Sequence, residues 1–102
     1  TQDRERDTKF AQEAWKTVCG FLRDPSYAMV ILDEFNIALQ QDYVDVAEVV
    51  TALRARPPMQ HVVLTGRGAK DALIEEADLV TEMKQIKHPF RKGIKAQPGV
   101  EF

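Results

Sequence analysis

Two acidic residues, Asp33 and Glu34, directly follow a short apolar run from Met29 to Leu32. The carboxyl end of a strand is where open α/β sheets bind their ligands. A carboxylate in that position can hold Mg²⁺, directly or through water, and the ion neutralises phosphate charge. The same acids could instead cap the turn that follows the strand. The pattern alone leaves both interpretations open.

Four apolar residues followed by two acids form the Walker B pattern, whose usual partner is a phosphate loop of the form G-x-x-x-x-G-K-[ST]. The sequence contains no such loop. The nearest glycine-rich segment, Gly66-Arg67-Gly68-Ala69-Lys70, has a different spacing. It follows a second apolar run, so its amides or Arg67 could reach an anion at the sheet edge that carries Asp33 and Glu34. A tight turn between strand and helix explains the segment more simply.

Other residue types that could do chemistry point to structural roles. His61 and His88 have no Cys or His partners at ligand spacing, which makes a zinc site a poor interpretation. Cys19 lies near the apolar face of a predicted helix, where a buried, inert thiol is expected. Trp15 and Phe21 are expected to be packing residues rather than a platform for a cofactor.

Basic residues gather late in the chain, at Lys84, Lys87, Arg91, Lys92 and Lys95. A solvated tail is the simpler interpretation, and a positive rim that attracts phosphate is the alternative. The formal net charge of the whole chain is −2, so no basic excess indicates nucleic acid as the main partner.

Length and composition limit the class of protein. The 102 residues suffice for one small domain, and the 44% hydrophobic content suits a folded core. The single cysteine cannot form an internal disulfide, which fits a reducing cytoplasm. No apolar run approaches the roughly 20 residues that a membrane span needs. We therefore expect a cytoplasmic protein without a membrane partner.

The first elements that position the acids are a helix and a strand. Asp7 or Thr8 can cap a first helix, which Asp24-Pro25-Ser26 ends with turn chemistry. The run from Tyr27 to Leu32 does not alternate between apolar and polar residues. Both faces of this strand are therefore expected to be buried, as in a parallel sheet covered by helices.

Helices and strands continue to alternate after the acids. Asp45 can cap a helix that Pro57-Pro58 stops, and residues 61–65 read as a second buried strand. Residues 71–77 predict a short helix, and the partial alternation of residues 79–86 predicts an edge strand. The tail from His88 onward is expected to be irregular. Such alternation favours a parallel sheet with right-handed crossovers, and an upstream segment would supply further strands.

Seven segments in a fixed order carry a more specific signal: residues 1–4, 29–34, 53–57, 63–68, 77–83, 87–90 and 93–102. Together they resemble the P-loop-type ATP:corrinoid adenosyltransferases, also called cob(I)yrinic acid a,c-diamide adenosyltransferases. The combination of the Thr-Gly-Arg-Gly loop with the Lys-Ala-Gln-x-Gly ending is specific. The resemblance covers essentially the whole chain.

This resemblance implies a fold and a reaction. The fold is a partial, RecA-like P-loop α/β domain of three layers with a mainly parallel sheet, of which residues 1–102 form the carboxyl-terminal part. Reduced cobalt attacks the 5′ carbon of ATP, an adenosyl–cobalt bond forms, and triphosphate leaves. The resemblance places upstream of Thr1 the phosphate loop and the aromatic residues that displace the lower cobalt ligand.

The resemblance also implies roles for individual residues. Glu34 would be the Mg²⁺ carboxylate, with Asp33 beside it as second ligand or orienting group. Arg4 would lie near the entrance for ATP or corrinoid, and the ATP site would be lined by Thr65, Gly66, Arg67 and Gly68. Lys95 and Gln97 match family positions. Members act as cytoplasmic homodimers on ATP and on cob(I)alamin or cobinamide.

Two other functions remain open at this point. The chain could be a non-catalytic fragment or binding module of the P-loop fold, and without a phosphate loop it is not expected to be active alone. It could also belong to another RecA-like ATPase, although the Gly-Arg-Gly loop and the ending argue against this.

Overall fold

A computed structural model describes residues 2–87. The elements in chain order are α1 (Gln2–Arg23), β1 (Met29–Leu32), α2 (Phe35–Gln40), α3 (Val46–Arg54), β2 (His61–Leu64) and α4 (Asp71–Glu76). Expectations for Thr1 and for the tail from His88 onward, including Arg91, Lys92, Lys95 and Gln97, lie outside the described residues. Among the helices of residues 2–87, none combines the length and the apolar character that a membrane span requires.

The two strands form a parallel pair, as the alternation of elements predicted. Met29 lies opposite His61 and Leu32 opposite Leu64. The Thr65 backbone N–H extends the ladder by donating to the Leu32 carbonyl over 3.1 Å. Parallel strands require a crossover connection, and α2 and α3 provide it. The carboxyl ends of both strands therefore meet at one edge of the sheet.

One face of this sheet is buried and the other is exposed. Val30 and Leu32 are 8% and 7% exposed, whereas Met29 and Ile31 are 54% and 61% exposed. Successive strand residues point to opposite faces, and within residues 2–87 only one face is covered. The prediction that both faces of β1 are buried is wrong for the described chain.

The predicted edge strand at residues 79–86 is also wrong. No strand forms there, and Leu79 and Met83 are 82% and 93% exposed. A strand needs a partner for its backbone N–H and C=O groups. No other part of residues 2–87 pairs with this segment, so its alternating pattern produces no sheet.

The first helix begins earlier than the predicted caps. Asp7 and Thr8 both lie inside α1, where the Thr8 hydroxyl donates to the Arg4 carbonyl over 2.7 Å. Thr8 therefore bonds back into its own helix instead of capping it. The predicted turn after α1 is confirmed, because Asp24 Oδ1 accepts from the Ser26 backbone N–H at 2.9 Å and the Ser26 hydroxyl at 2.7 Å. Both hydrogen bonds lower the pKa of Asp24, and the bond from the Ser26 hydroxyl has the larger effect.

A single apolar core joins the helices to the covered face of the sheet. Its buried residues are Trp15, Leu22, Val30, Leu32, Leu39, Val44, Val49, Leu53 and Leu73. Trp15 stacks on Phe35 with 5.6 Å between ring centroids, which confirms its packing role. Phe21 packs on Tyr27 but stays 38% exposed. Cys19 is only half-buried, and burial raises the pKa of its thiol, which disfavours the reactive thiolate.

Caps and turns place the remaining helices. The Asp45 carboxylate accepts a hydrogen bond from the Ala47 backbone N–H over 3.0 Å, which confirms the predicted cap of α3. That helix ends at Arg54, three residues before Pro57, and α4 spans almost all of its predicted range. The six-residue α2 was not predicted, and it lies directly after Asp33 and Glu34.

Candidate functional site at the carboxyl edge of the sheet

The centre of the site is the hydroxyl of Thr65, the residue after β2. It donates a hydrogen bond to Asp33 Oδ1 over 2.8 Å and accepts one from the Glu34 backbone N–H over 2.8 Å. Both hydrogen-bonding functions of one hydroxyl are thereby directed at the residues that follow β1. The parallel pairing brings together two motifs that are 31 and 32 residues apart in sequence.

Glu34 occupies the tight turn between β1 and α2. Its backbone has φ 56° and ψ 24°, in the left-handed region that non-glycine residues adopt uncommonly. Such strain is typical of functional sites when surrounding bonds maintain it. Here the Thr65 hydroxyl binds the Glu34 amide, and the side chains of Asp33 and Glu34 are exposed at the sheet edge.

The loop after Thr65 packs directly on α2. The Asn36 side-chain amide donates to the Gly66 carbonyl over 3.0 Å, and the Gln40 amide donates to the carbonyls of Arg67 at 3.2 Å and Gly68 at 2.8 Å. The Asn36 backbone N–H adds a bond to the Thr65 carbonyl over 3.4 Å. The loop and the acidic turn therefore form one connected unit.

Backbone conformation constrains both loop glycines, and close packing adds to this at Gly66. Gly66 has φ 125° and Gly68 has φ 64°, which only glycine adopts without cost. A Cβ on Gly66 would lie 3.0 Å from Asn36 Cβ, and one on Gly68 would overlap the Gln40 amide nitrogen. Residues 66–68 form a bend between β2 and α4, which fits the structural interpretation of this segment. The turn also leaves the Arg67 side chain exposed between two fixed glycines.

Arg4 lies at the opposite end of α2 from the acidic pair. Its guanidinium donates to the Gln41 carbonyl over 2.7 Å and lies 5.2 Å from the ring centroid of Tyr43. Since α2 has six residues, it is about 9 Å long. Nearby, Lys70 Nζ lies 2.9 Å from Asp42 Oδ1, and this hydrogen bond and charge lower the pKa of Asp42.

The donor set at the sheet edge fits a hard divalent cation with few protein ligands. Residues 2–87 contain no group of three or more His, Cys, Asp and Glu side chains that could enclose a metal. Mg²⁺ does not need such a cage, because it commonly uses one or two carboxylates together with water and substrate phosphate. Asp33 and Glu34 would supply the carboxylates of such a site, and the bond from the Thr65 hydroxyl to Asp33 has the form of an outer-shell bond to a metal ligand.

The sequence of the chain is similar to those of known proteins. A family model described as ATP:corrinoid adenosyltransferase BtuR/CobO/CobP matches residues 1–102, which is the whole chain. The chain belongs to this family. The resemblance of the seven sequence segments to this family is therefore confirmed. The α/β fold with a small parallel sheet is consistent with part of a P-loop domain.

Curated relatives of the ATP:corrinoid adenosyltransferase family match over the full chain. The chain is 63% identical over 103 residues to a corrinoid adenosyltransferase of Sinorhizobium sp, and it covers 48% of that protein. Identity is 55% over 102 residues to one of Pseudomonas aeruginosa, of which 50% is covered, and 43% over 102 residues to one of Escherichia coli K12, of which 52% is covered. The chain spans about half the length of the curated relatives it matches.

The structure brings together most of the predicted site residues. Asp33, Glu34 and the loop from Thr65 to Gly68 form one hydrogen-bonded unit, while Arg4 is connected through α2. Asn36 and Gln40 were missed, although both contact the loop. Their spacing of four residues, directly after the acids, was the available signal, because residues i and i+4 share a helix face.

Proposed function

We propose that the full-length protein transfers the 5′-deoxyadenosyl group of ATP to reduced corrinoid cobalt and releases triphosphate, in adenosylcobalamin biosynthesis or salvage. Family membership supports this reaction class. The structural observation that carries it is the Thr65 hydroxyl bonded to both Asp33 and Glu34, because it joins the acidic strand end to the glycine loop.

In this proposal Glu34 and Asp33 are the carboxylates that hold Mg²⁺. Glu34 is the principal ligand, and Asp33 is a second ligand or orienting group whose position is set by Thr65. Bound Mg²⁺ would neutralise negative charge on the leaving triphosphate. Both side chains are exposed at the edge where open α/β sheets bind ligands, so a nucleotide can reach them.

The glycine loop is proposed to line the ATP site. Its backbone amides and the Arg67 guanidinium are suited to phosphate oxygens, because amides and guanidinium are hydrogen-bond donors that match anions. Arg4, at the far end of α2, is proposed to lie near the entrance for ATP or corrinoid. The role of these residues is to position ATP with its 5′ carbon toward cobalt.

The bonds made and broken define what the site must do. The electron pair of reduced cobalt forms the new bond to the 5′ carbon. The bond from that carbon to its phosphate oxygen breaks, and the electron pair leaves with triphosphate. Charge therefore develops on the triphosphate oxygen, where preorganised donors and carboxylate-bound Mg²⁺ are most useful. Cob(I)alamin and cobinamide are both candidate acceptors.

We further propose that residues 1–102 form one partial domain that needs the rest of the protein for activity. The segment contains no G-x-x-x-x-G-K-[ST] motif of its own. By the family resemblance, the full-length protein is proposed to act in the cytoplasm as a homodimer. A non-catalytic binding module remains the alternative for the segment in isolation.

The experiment incubates the full-length protein with ATP, Mg²⁺ and chemically reduced cobalamin. The expected result is an adenosylcobalamin absorption spectrum with one intact triphosphate released per product. Arg67→Ala should raise the KM for ATP, whereas the exposed α1 residue Arg23, changed to Ala, serves as the matched control. Release of phosphate and ADP without any adenosylated corrinoid would reject the proposed reaction and favour a general ATPase.

A further inference from the structure

Helix α2 presents two side-chain amides to the loop that carries Arg67. Asn36 donates to the Gly66 carbonyl at 3.0 Å, and Gln40 donates to the carbonyls of Arg67 at 3.2 Å and Gly68 at 2.8 Å. The two side chains are four residues apart and so lie on one face of the helix. Three consecutive loop carbonyls are thus bound to a single helix face.

These bonds determine how the loop backbone is oriented. All three partners are carbonyl oxygens, which only accept hydrogen bonds, so only the NH₂ ends of the amides can satisfy them. Asn36 is 5% exposed, and a Cβ on Gly66 would lie only 3.0 Å from Asn36 Cβ, so the loop and the helix approach closely at this junction. The backbone of Arg67 is therefore fixed on both sides and at its own carbonyl.

A fixed backbone matters because Arg67 has an exposed, flexible side chain. Holding its origin in place reduces the conformational freedom that must be lost when the guanidinium binds an anion. Precise sites depend on such supporting contacts as much as on the contacting residue itself.

We propose that Asn36 and Gln40 are positioning residues, which hold Arg67 in the orientation that binds the triphosphate of ATP. This inference rests on the proposed function and deepens it, because it identifies the α2 residues that orient Arg67. Neither amide needs to touch ATP itself, because both act through the loop.

The test uses Gln40→Glu in the full-length protein, because Glu has the same shape but no donor for the two carbonyls. The KM for ATP should rise about fivefold to tenfold, the cost of roughly one unmade hydrogen bond. The kcat at saturating ATP and the circular dichroism spectrum should stay at parent values. In an Arg67→Ala background, Gln40→Glu should have no further effect on KM.

The matched control is Gln12→Glu, which removes a similar amide bond, from Gln12 to the Tyr43 carbonyl over 3.3 Å, at a different junction. Its KM for ATP should equal that of the parent. Fully additive effects of Gln40→Glu and Arg67→Ala would overturn the inference, as would a parent-like Gln40→Glu when Arg67→Ala is impaired. A parent-like Arg67→Ala would instead refute the proposed role of Arg67 in ATP binding, and this inference with it.

Discussion

The Thr65 hydroxyl lies 2.8 Å from the Asp33 carboxylate, although 32 residues separate them in the chain. The same oxygen accepts the Glu34 backbone N–H. A single side chain from the end of β2 therefore controls both the orientation of one acid and the strained backbone of the next. This contact is the physical link between two motifs that are far apart in the sequence.

Replacing Thr65 tests that link. Thr65→Val keeps the shape but removes the hydroxyl, so Asp33 loses its donor and the Glu34 amide loses its acceptor. We expect Mg²⁺ affinity of the full-length protein to fall about 10- to 100-fold, as for other outer-shell partners of metal ligands. Isothermal titration with Mg²⁺ and an ATP analogue measures the change. Thr65→Ser keeps the hydroxyl and should bind like the parent; a Ser variant as weak as Val would argue against the hydroxyl.

The ion pair between α3 and α4 should contribute to pH-dependent stability. Arg54 Nε lies 3.0 Å from both Glu76 carboxylate oxygens, and Arg54 Nη2 lies 2.9 Å from Oε2. These hydrogen bonds lower the pKa of Glu76 below its ordinary value. A carboxylate with a lowered pKa in the folded state stabilises the protein at neutral pH, and the contribution is lost as pH falls through the folded pKa.

We therefore expect Glu76→Gln to lower the thermal midpoint slightly at neutral pH, and to match the parent only in acid below the lowered pKa that Glu76 has in the folded protein. Glu75→Gln, an exposed acid on the same helix, is the control and should not reproduce this convergence. A Glu76→Gln midpoint equal to the parent at neutral pH would show that the pair adds nothing.

Replacing glycine by alanine should raise the free energy of unfolding at Gly20 and lower it at Gly66. A Cβ on Gly20 meets nothing within 4 Å among the described residues, so Gly20→Ala should raise the free energy of unfolding by about 0.5–1 kcal/mol. Gly66→Ala should lower it by about 1–3 kcal/mol, because φ 125° is strained for alanine and Asn36 Cβ is 3.0 Å away. Gly68→Ala should displace the Gln40 amide, the flexible end of a side chain. Denaturant midpoints measure all three, and equal midpoints for Gly66→Ala and Gly20→Ala would contradict the tight packing of the loop.

The exposed face of the sheet should make the isolated 102-residue polypeptide self-associate. Ile31 and Val63 are 61% and 41% exposed on neighbouring strands, and contiguous apolar surface of this kind promotes association. The double change Ile31→Thr and Val63→Thr should lower the apparent mass in light scattering at equal concentration. Ile74→Thr, on α4, is the control for loss of apolar surface elsewhere. A monomeric parent polypeptide with a cooperative thermal transition would refute this prediction.

Local signals predicted most of the elements. The strands β1 and β2, the Asp45 cap and the turn at Asp24 follow from neighbouring residues, and each is confirmed. The predicted burial of both strands is wrong for residues 2–87, since alternate residues of β2 are exposed as they are in β1. The helix α2 could not be predicted from periodicity, because six residues make fewer than two turns. The alternation of residues 79–86 wrongly predicted a strand, because a strand also needs a pairing partner that the local sequence does not show.

The candidate site, too, could be predicted only in part from local sequence. The residue types of Asp33, Glu34 and the loop at residues 66–68 suggest anion and metal chemistry as one of two interpretations. They do not reveal the bridge through Thr65 or the amides of Asn36 and Gln40. Those contacts join residues 27 to 32 positions apart, and they depend on parallel strands ending at the same edge.

The central claim is that Glu34 holds Mg²⁺ at the triphosphate, and one measurement tests it most directly. Adenosylcobalamin formation by the full-length protein is recorded as a function of Mg²⁺ concentration for the parent, for Glu34→Gln and for the exposed-acid control Glu75→Gln. We predict that Glu34→Gln loses Mg²⁺-dependent turnover while keeping the parent circular dichroism spectrum, and that Glu75→Gln behaves like the parent. Wild-type turnover and an unchanged Mg²⁺ dependence in Glu34→Gln would contradict the claim.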